Sequence, residues 1–129
     1  MNKWISDDIV THGTQLHYYR TGGQKPALVL IHGITDDGLC WSPVAQVLAA
    51  DYDVIMVDLR GHGKSEAPAA GYDYTTMANE VAGLITGLGL VKPVVMGHSL
   101  GAMTTLVITS LFPDLPRAII LEDPPAFWR

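Results

Sequence analysis

Short apolar runs alternate with longer segments of helical period along most of this chain. The apolar runs cover residues 27–31, 52–57, 93–96 and 118–121, and the helical segments cover 39–49, 75–88 and 99–112. Strands that are separated by a helix pair in parallel through right-handed crossovers. The alternation therefore predicts an α/β fold with a mostly parallel sheet and flanking helices.

A different pattern precedes this alternation. Residues 5–11 and 15–20 read as two strands around the turn His12-Gly13-Thr14, which is typical of a hairpin at a sheet edge. The chain has 129 residues and no repeat or linker-like stretch, and a domain usually holds about 100 to 200 residues. Residues 1–129 are therefore expected to belong to one domain.

The composition excludes several classes of binding partner. Hydrophobic residues make up 48% of the chain and the formal net charge is −5, so there is no basic field to bind nucleic acid or an anionic membrane surface. The single cysteine, Cys40, cannot form an internal disulfide, and no Cys or His spacing suits a metal. We expect a cytoplasmic protein without cofactor or metal, in which Cys40 is buried and unreactive.

The strongest chemical signal is Gly97-His98-Ser99-Leu100-Gly101. It directly follows a predicted strand and directly opens a predicted helix, which is the context of the G-x-S-x-G nucleophile elbow. The glycines are expected because a serine on so tight a turn leaves no room for side chains two positions away. Ser99 is the candidate nucleophile. The alternative is an ordinary serine that caps the helix.

A second loop leaves the same edge of the predicted sheet at Ile31-His32-Gly33-Ile34. Gly33 allows a sharp turn, so the N–H of Ile34 and the N–H of Leu100 are the expected donors to a substrate oxyanion. We interpret His32 as a buried structural histidine that braces this loop. Gly33, His98 and the two elbow glycines are expected to give structural support.

These loops occur in a fixed order with a third, Asp58-Leu59-Arg60-Gly61-His62-Gly63-Lys64-Ser65. Together they resemble the α/β-hydrolase superfamily, in its small serine hydrolase branch. The resemblance implies structural roles for Arg60, His62 and Ser65. It also implies that the chain belongs to an ester-type branch, because Ser99 occupies the position at which dehalogenases and epoxide hydrolases carry an aspartate.

A serine hydroxyl needs a histidine to take its proton and a carboxylate to orient that histidine. In the family the order along the chain is serine, acid, histidine, whereas all five histidines here precede Ser99. The catalytic histidine is therefore expected outside this chain. Asp123 has two interpretations: the acid of the triad, or a turn-forming residue before Pro124.

The strand at residues 118–121 is apolar on both faces, which favours an interior position because such a strand at a sheet edge invites aggregation. Members of the family that the chain resembles are about twice as long, with a cap and two further strands after this point. We therefore expect the N-terminal half of a hydrolase core, with the C-terminal half in a second chain or cut away.

Two functions follow as expectations. The first is a serine hydrolase that acts by acyl transfer on a small-molecule ester, amide, thioester or C–C bond beside a carbonyl. The second is a non-catalytic hydrolase-like domain that binds a small ligand or a partner, and the missing histidine is its support.

Overall fold

The computed structural model describes residues 4–125. Six strands and three α-helices follow one another, with a short 3₁₀ helix before the first of the helices. In chain order they are β1 (Ile5–Thr11), β2 (Thr14–Arg20), β3 (Ala27–Ile31), the 3₁₀ helix (Gly38–Trp41), α1 (Ser42–Leu48), β4 (Asp53–Val57), α2 (Tyr74–Gly87), β5 (Val94–His98), α3 (Leu100–Leu111) and β6 (Ala118–Glu122). In the described part of the chain, no helix has the length and apolar character that a membrane span requires.

All six strands form one sheet in the order β1-β2-β4-β3-β5-β6. The β1–β2 and β2–β4 pairs are antiparallel, and the other three pairs are parallel. This confirms the predicted α/β fold with a mostly parallel sheet and flanking helices. Ile31 lies beside both Val57 and Gly97, and Gly97 lies beside Leu121, so four strands end at the same edge of the sheet.

The sheet buries different side chains on its two faces because successive strand residues point to opposite sides. On β3, Val29 and Ile31 belong to the core under α2 and α3, whereas Leu28 and Leu30 belong to the core that includes α1. The apolar side chains of α2, among them Met77, Val81 and Leu84, are buried against the first of these faces. Fully burying one such aliphatic side chain contributes about 1.5–3 kcal/mol.

The predicted hairpin is present, with a tighter turn than expected. Thr14 already belongs to β2 and pairs with Thr11, so the turn consists of His12 and Gly13 alone. Their φ angles are 51° and 78°, and two residues at positive φ are typical of the hairpin turn whose twist matches the flanking strands.

The single helix predicted for residues 39–49 is wrong. The chain forms a 3₁₀ helix over Gly38–Trp41 and then α1, which has a proline in its first turn. Pro43 lacks an N–H and fits the first turn of a helix better than its interior, so the α-helix begins there. The change also turns Cys40 outwards: its side chain is exposed, contrary to the expected burial.

β6 lies at an edge of the sheet, next to β5. Its side chains are half-buried or exposed rather than buried, and Ile120 is 47% exposed. Ile120 also lines an apolar cavity of about 320 Å³ on the α1 side of the sheet. The other residues that line this cavity are Leu28, Leu48, Tyr52, Val94, Met96 and Ala118. In the described residues the strand predicted to be interior is therefore open on its outer side.

Candidate active site

Ser99 occupies a sharp turn between β5 and α3. Its φ and ψ are 54° and −111°, so it stands outside the helix that was predicted to begin with it. A residue with a side chain rarely adopts positive φ, and such strain clusters at functional sites. The Ser99 hydroxyl makes no capping hydrogen bond to α3, so the structure does not show the alternative role of a capping serine.

The glycines on either side of Ser99 are required by close backbone approaches. A Cβ at Gly97 would overlap the carbonyl oxygen of Gly101, and a Cβ at Gly101 would overlap the carbonyl oxygen of Ile31. α3 therefore crosses directly over the end of β5 and lies against β3. Only residues without a side chain allow this crossing.

The loop after β3 lies against the end of β5. A Cβ at Gly33 would come within 3.1 Å of the Nδ1 atom of His98, so a larger residue would force the two loops apart. In the part of the chain that the structure describes, neither the N–H of Ile34 nor that of Leu100 donates a hydrogen bond to another protein group. Both N–H groups are free to bind a negatively charged oxygen.

His32 is fully buried beneath this loop. Its Nδ1 lies 2.7 Å from the carbonyl oxygen of Gly33, and its Nε2 lies 3.1 Å from the N–H of Leu59. Because a carbonyl only accepts, Nδ1 carries the proton and Nε2 accepts from Leu59. Burial lowers the pKa of His32, which keeps the ring neutral. Both ring nitrogens therefore make hydrogen bonds, one to the loop after β3 and one to the loop after β4.

His62 holds the same loop from its outer side. Its Nδ1 lies 2.9 Å from the carbonyl oxygen of Arg60, and its Nε2 lies 2.8 Å from the carbonyl oxygen of Ile34. The ring centroid of His62 is 4.8 Å from that of His32. The peptide that follows Ile34 is therefore tied to the loop after β4.

The loop after β4 forms a rigid support around a buried carboxylate, Asp58. Its two oxygens accept hydrogen bonds from the N–H of Gly38 at 2.6 Å and the N–H of Lys64 at 2.9 Å. The hydroxyl of Ser65 donates to the Asp58 carbonyl at 2.6 Å. Arg60 is also buried and lies 3.1 Å from a carboxylate oxygen of Glu80.

Asp123 follows β6 directly. It is exposed and has a φ of 49°, so it has a positive φ like Ser99. The residue before it, Glu122, pairs with His98 at the ends of β6 and β5. Asp123 follows Glu122, and Ser99 follows His98. The two residues therefore come directly after paired residues of neighbouring strands.

A cavity of about 300 Å³ opens beside these strand ends. The residues that line it are Asp36, Cys40, Trp41, Val44, His98 and Glu122. Desolvation and the carboxylates of Asp36 and Asp37 raise the pKa of the Cys40 thiol to about 11, so it stays protonated. The lining carries two carboxylates and no Lys or Arg.

The sequence did not lead us to expect Cys40 or Val44 in this lining. The available signal was the helix break at Pro43, which sets the direction of both residues. Among the described residues, no group of three His, Cys, Asp or Glu side chains could hold a metal ion.

No histidine ring in residues 4–125 is hydrogen-bonded to the Ser99 hydroxyl. His32 and His62 bind carbonyl groups of the supporting loops. His17 lies on the hairpin, where it contacts Ser6 and Asp8, and His12 lies in the hairpin turn. The turn at Ser99 and the loop after β3 are thus together in the structure, and a general base for the serine is not among the described contacts.

Comparison with known proteins gives a consistent set of relatives. A family model described as alpha/beta hydrolase fold matches residues 26–129. The chain is 36% identical over 104 residues to the 2-(acetamidomethylene)succinate hydrolase of Mesorhizobium japonicum, which covers 81% of this chain and 37% of that protein. It is 37% identical over 124 residues to the soluble epoxide hydrolase of a Corynebacterium species, covering 92% of this chain and 43% of that protein.

Solved structures agree with these sequence relatives. The crystal structure of an E-2-(acetamidomethylene)succinate hydrolase superimposes with a TM-score of 0.85 at 33% identity, covering 90% of this chain and 43% of that one. The chain therefore spans less than half the length of the relatives that it matches.

Proposed function

Because this chain belongs to the alpha/beta hydrolase fold family, we propose that it supplies the nucleophile and the oxyanion donors of a serine hydrolase. The observation that carries the proposal is the Ser99 turn, at a φ of 54° with no capping bond to the helix that follows. Relatives of the chain carry the names of hydrolases of different substrates. A hydrolytic role is common to them all.

The proposed reaction is acyl transfer. The Ser99 hydroxyl oxygen attacks a carbonyl carbon, its proton passes to a general base, and the leaving group departs from the tetrahedral intermediate. The N–H groups of Ile34 and Leu100 stabilise the oxyanion, and one such donor changes the rate by about 10²- to 10³-fold. Water then releases the acyl group from the serine.

The choice of nucleophile separates this chain from the epoxide hydrolases that it resembles. Epoxide hydrolases and dehalogenases attack with a carboxylate, whereas residue 99 is a serine. The proposed substrates are accordingly small molecules with an ester, amide or thioester group, or a C–C bond beside a carbonyl.

The cavity beside the elbow narrows this range. Asp36 and Glu122, both exposed, line it, and two carboxylates beside a cavity disfavour an anionic substrate by a repulsion that salt weakens. A neutral or cationic acyl compound is therefore proposed over a dicarboxylate. The relative from Mesorhizobium is named for a succinate derivative. We therefore propose that the lining of this cavity gives the chain a substrate specificity different from that of this relative.

The general base is proposed to come from the C-terminal half of the same fold, in a second chain or in a longer form of this one. Two observations support this partner: the exposed outer side of β6, with Ile120 47% exposed, and coverage of only 37–43% of the relatives. Strands that pair with β6 would bring a histidine to the edge where Ser99 lies. Asp123 is the proposed acid, because it follows the strand next to Ser99.

The test is covalent labelling with a fluorophosphonate probe, followed by peptide mapping. We expect the Ser99 peptide to be labelled in stoichiometric amount when the C-terminal half is supplied, and labelling of that peptide to be lost in Ser99→Ala. Ser110→Ala, at an exposed serine in α3, is the matched control and should label fully. If a folded complex leaves the Ser99 peptide unlabelled, the hydrolase proposal is wrong and the non-catalytic binding domain takes its place.

A further inference from the structure

Three side chains of the β1–β2 hairpin, apart from the candidate active site, form a serine–histidine–aspartate arrangement. The Ser6 hydroxyl is 2.8 Å from Nε2 of His17, and Nδ1 of His17 is 2.6 Å from a carboxylate oxygen of Asp8. Ser6 and Asp8 are two residues apart on β1, and Asp8 pairs with His17 on β2. Strand residues two apart share a face, so the hairpin register brings all three side chains together.

The hydrogen-bond chemistry fixes where the protons lie. The hydrogen bond from His17 lowers the pKa of the Asp8 carboxyl, which is therefore ionised and can only accept. His17 Nδ1 then carries the proton that points to Asp8. In the neutral ring Nε2 is the acceptor, and the hydroxyl of Ser6 donates to it. This is the arrangement that activates a serine hydroxyl.

The histidine of this arrangement is held in place. His17 is 7% exposed, and its ring packs edge-on against Tyr19 with 4.8 Å between the ring centroids. Its backbone N–H donates to the Ser65 hydroxyl at 2.7 Å. Ser6, in contrast, is exposed. A fixed base thus faces a serine that reagents in solution can reach.

We propose that Ser6 is a second nucleophilic serine, a site of covalent acylation or phosphonylation that is independent of Ser99. Oγ of Ser6 forms a bond to the acyl carbon or phosphorus of an activated donor, such as a phenyl ester or a phosphonyl fluoride. The phenolate or fluoride leaves with the electron pair of the broken bond. The serine proton goes to Nε2 of His17, and the resulting imidazolium is stabilised by Asp8.

The location of Ser6 sets the kind of reaction. β1 and β6 are the opposite edges of the sheet, so the hairpin site is remote from the strand ends that carry Ser99. Ser6 is exposed on its strand, and none of the cavities described above is lined by it. The site therefore suits modification by donors that are already activated, with the acyl group remaining on the serine.

The experiment uses protein that carries Ser99→Ala, so that the first site cannot react. It is treated with p-nitrophenyl acetate or a fluorophosphonate, and the rate of labelling at each serine is measured by peptide mapping. General-base assistance contributes about 10²- to 10⁴-fold in enzymes, so we expect Ser6 to react at least about tenfold faster than Ser110, the exposed serine of α3. Equal rates at the two serines would overturn the proposal.

Two further variants separate activation from structure. Asp8→Asn and His17→Asn should each slow labelling of Ser6 about tenfold while leaving the rate at Ser110 unchanged. If His17→Asn fails to fold, the exposed Asp8→Asn substitution decides. Labelling of Ser6 that is indifferent to Asp8→Asn contradicts the proposal.

Discussion

The backbone N–H of Ser99 donates a hydrogen bond of 3.0 Å to the carbonyl oxygen of Glu122. Glu122 is the last residue of β6, and Ser99 is the first residue after β5. The hydrogen bond therefore continues the strand pairing up to the candidate nucleophile itself. As a result, the position of Ser99 depends on β6 as well as on its own strand, and the turn that carries Asp123 is anchored to the same point.

The elbow glycines should be intolerant of a side chain. Gly101→Ala places a Cβ on the carbonyl oxygen of Ile31, and because that atom belongs to the backbone of a central strand, it cannot move aside. We expect the free energy of unfolding to fall by about 2–3 kcal/mol and labelling of Ser99 to be lost. Urea unfolding and probe labelling measure the two effects.

Gly89→Ala is the matched control for this substitution. Gly89 has a φ of 68° with open space around its Cβ position, so only backbone strain of about 1–2 kcal/mol is expected, with Ser99 labelled as in the parent. Equal losses of stability for the two variants would show that the close approach at Gly101 is not what constrains the elbow.

His62→Ala should loosen the loop after β3, which carries the proposed oxyanion donor Ile34. The variant removes the contacts of the ring to the carbonyl oxygens of Arg60 and Ile34, one of which accepts a hydrogen bond from the single N–H of the neutral ring. We expect the rate of Ser99 phosphonylation to fall about tenfold, because misplacing one oxyanion donor is costly, and stability to fall by about 1–2 kcal/mol. Tyr72→Phe removes one hydrogen bond, to the carbonyl of Pro68, in the neighbouring loop. It should lower stability without changing the rate, and a similar fall in rate there would contradict the role of His62.

His32 should make stability depend on pH. Burial lowers its pKa below the ordinary value of 6.5, so between these two values the unfolded chain binds a proton that the folded chain does not. Stability is therefore lost as the pH falls below about 6.5. In His32→Asn the amide retains a donor for the carbonyl of Gly33. Urea unfolding at about pH 7.5 and 5.5 should show a smaller loss for this variant than for the parent, and equal losses would exclude His32 as the source.

The open edge at β6 should promote self-association of this chain. Exposed apolar edge strands pair with other chains, and a lysine on the edge prevents this. Ile120→Lys is expected to shift the sedimentation profile towards the monomer. Val91→Lys, at a loop residue that is 84% exposed, should leave association unchanged. A parent chain that is monomeric at every concentration would contradict the expected role of this edge.

Local patterns were sufficient to predict the sheet and the residues around the elbow. Short apolar runs signalled β3, β4, β5 and β6. The glycines around Ser99 signalled the turn, and the close approach of Gly101 to Ile31 shows why a glycine is needed there. The prediction of a single helix over residues 39–49 was wrong because the periodicity of the apolar residues was given more weight than Pro43, which lies in the first turn of a new helix. The same error led to the wrong prediction that Cys40 is buried.

The arrangement of Ser6, Asp8 and His17 on the hairpin could not be predicted from the sequence, for a different reason. It depends on which residues face each other, and the predicted three-residue turn left the register of β1 against β2 open. The actual turn of two residues places Asp8 opposite His17. A shift of one residue would have moved the histidine to the other face of the sheet.

The most direct test of the central claim is a crystal structure of the phosphonylated protein, since it reports the nucleophile and the oxyanion donors together. We predict phosphorus bonded to Oγ of Ser99 and a phosphonyl oxygen about 2.7–3.1 Å from the N–H nitrogens of both Ile34 and Leu100. An adduct on Ser99 whose oxygen points away from these two nitrogens, or the absence of any adduct at Ser99, would contradict the proposed hydrolase site.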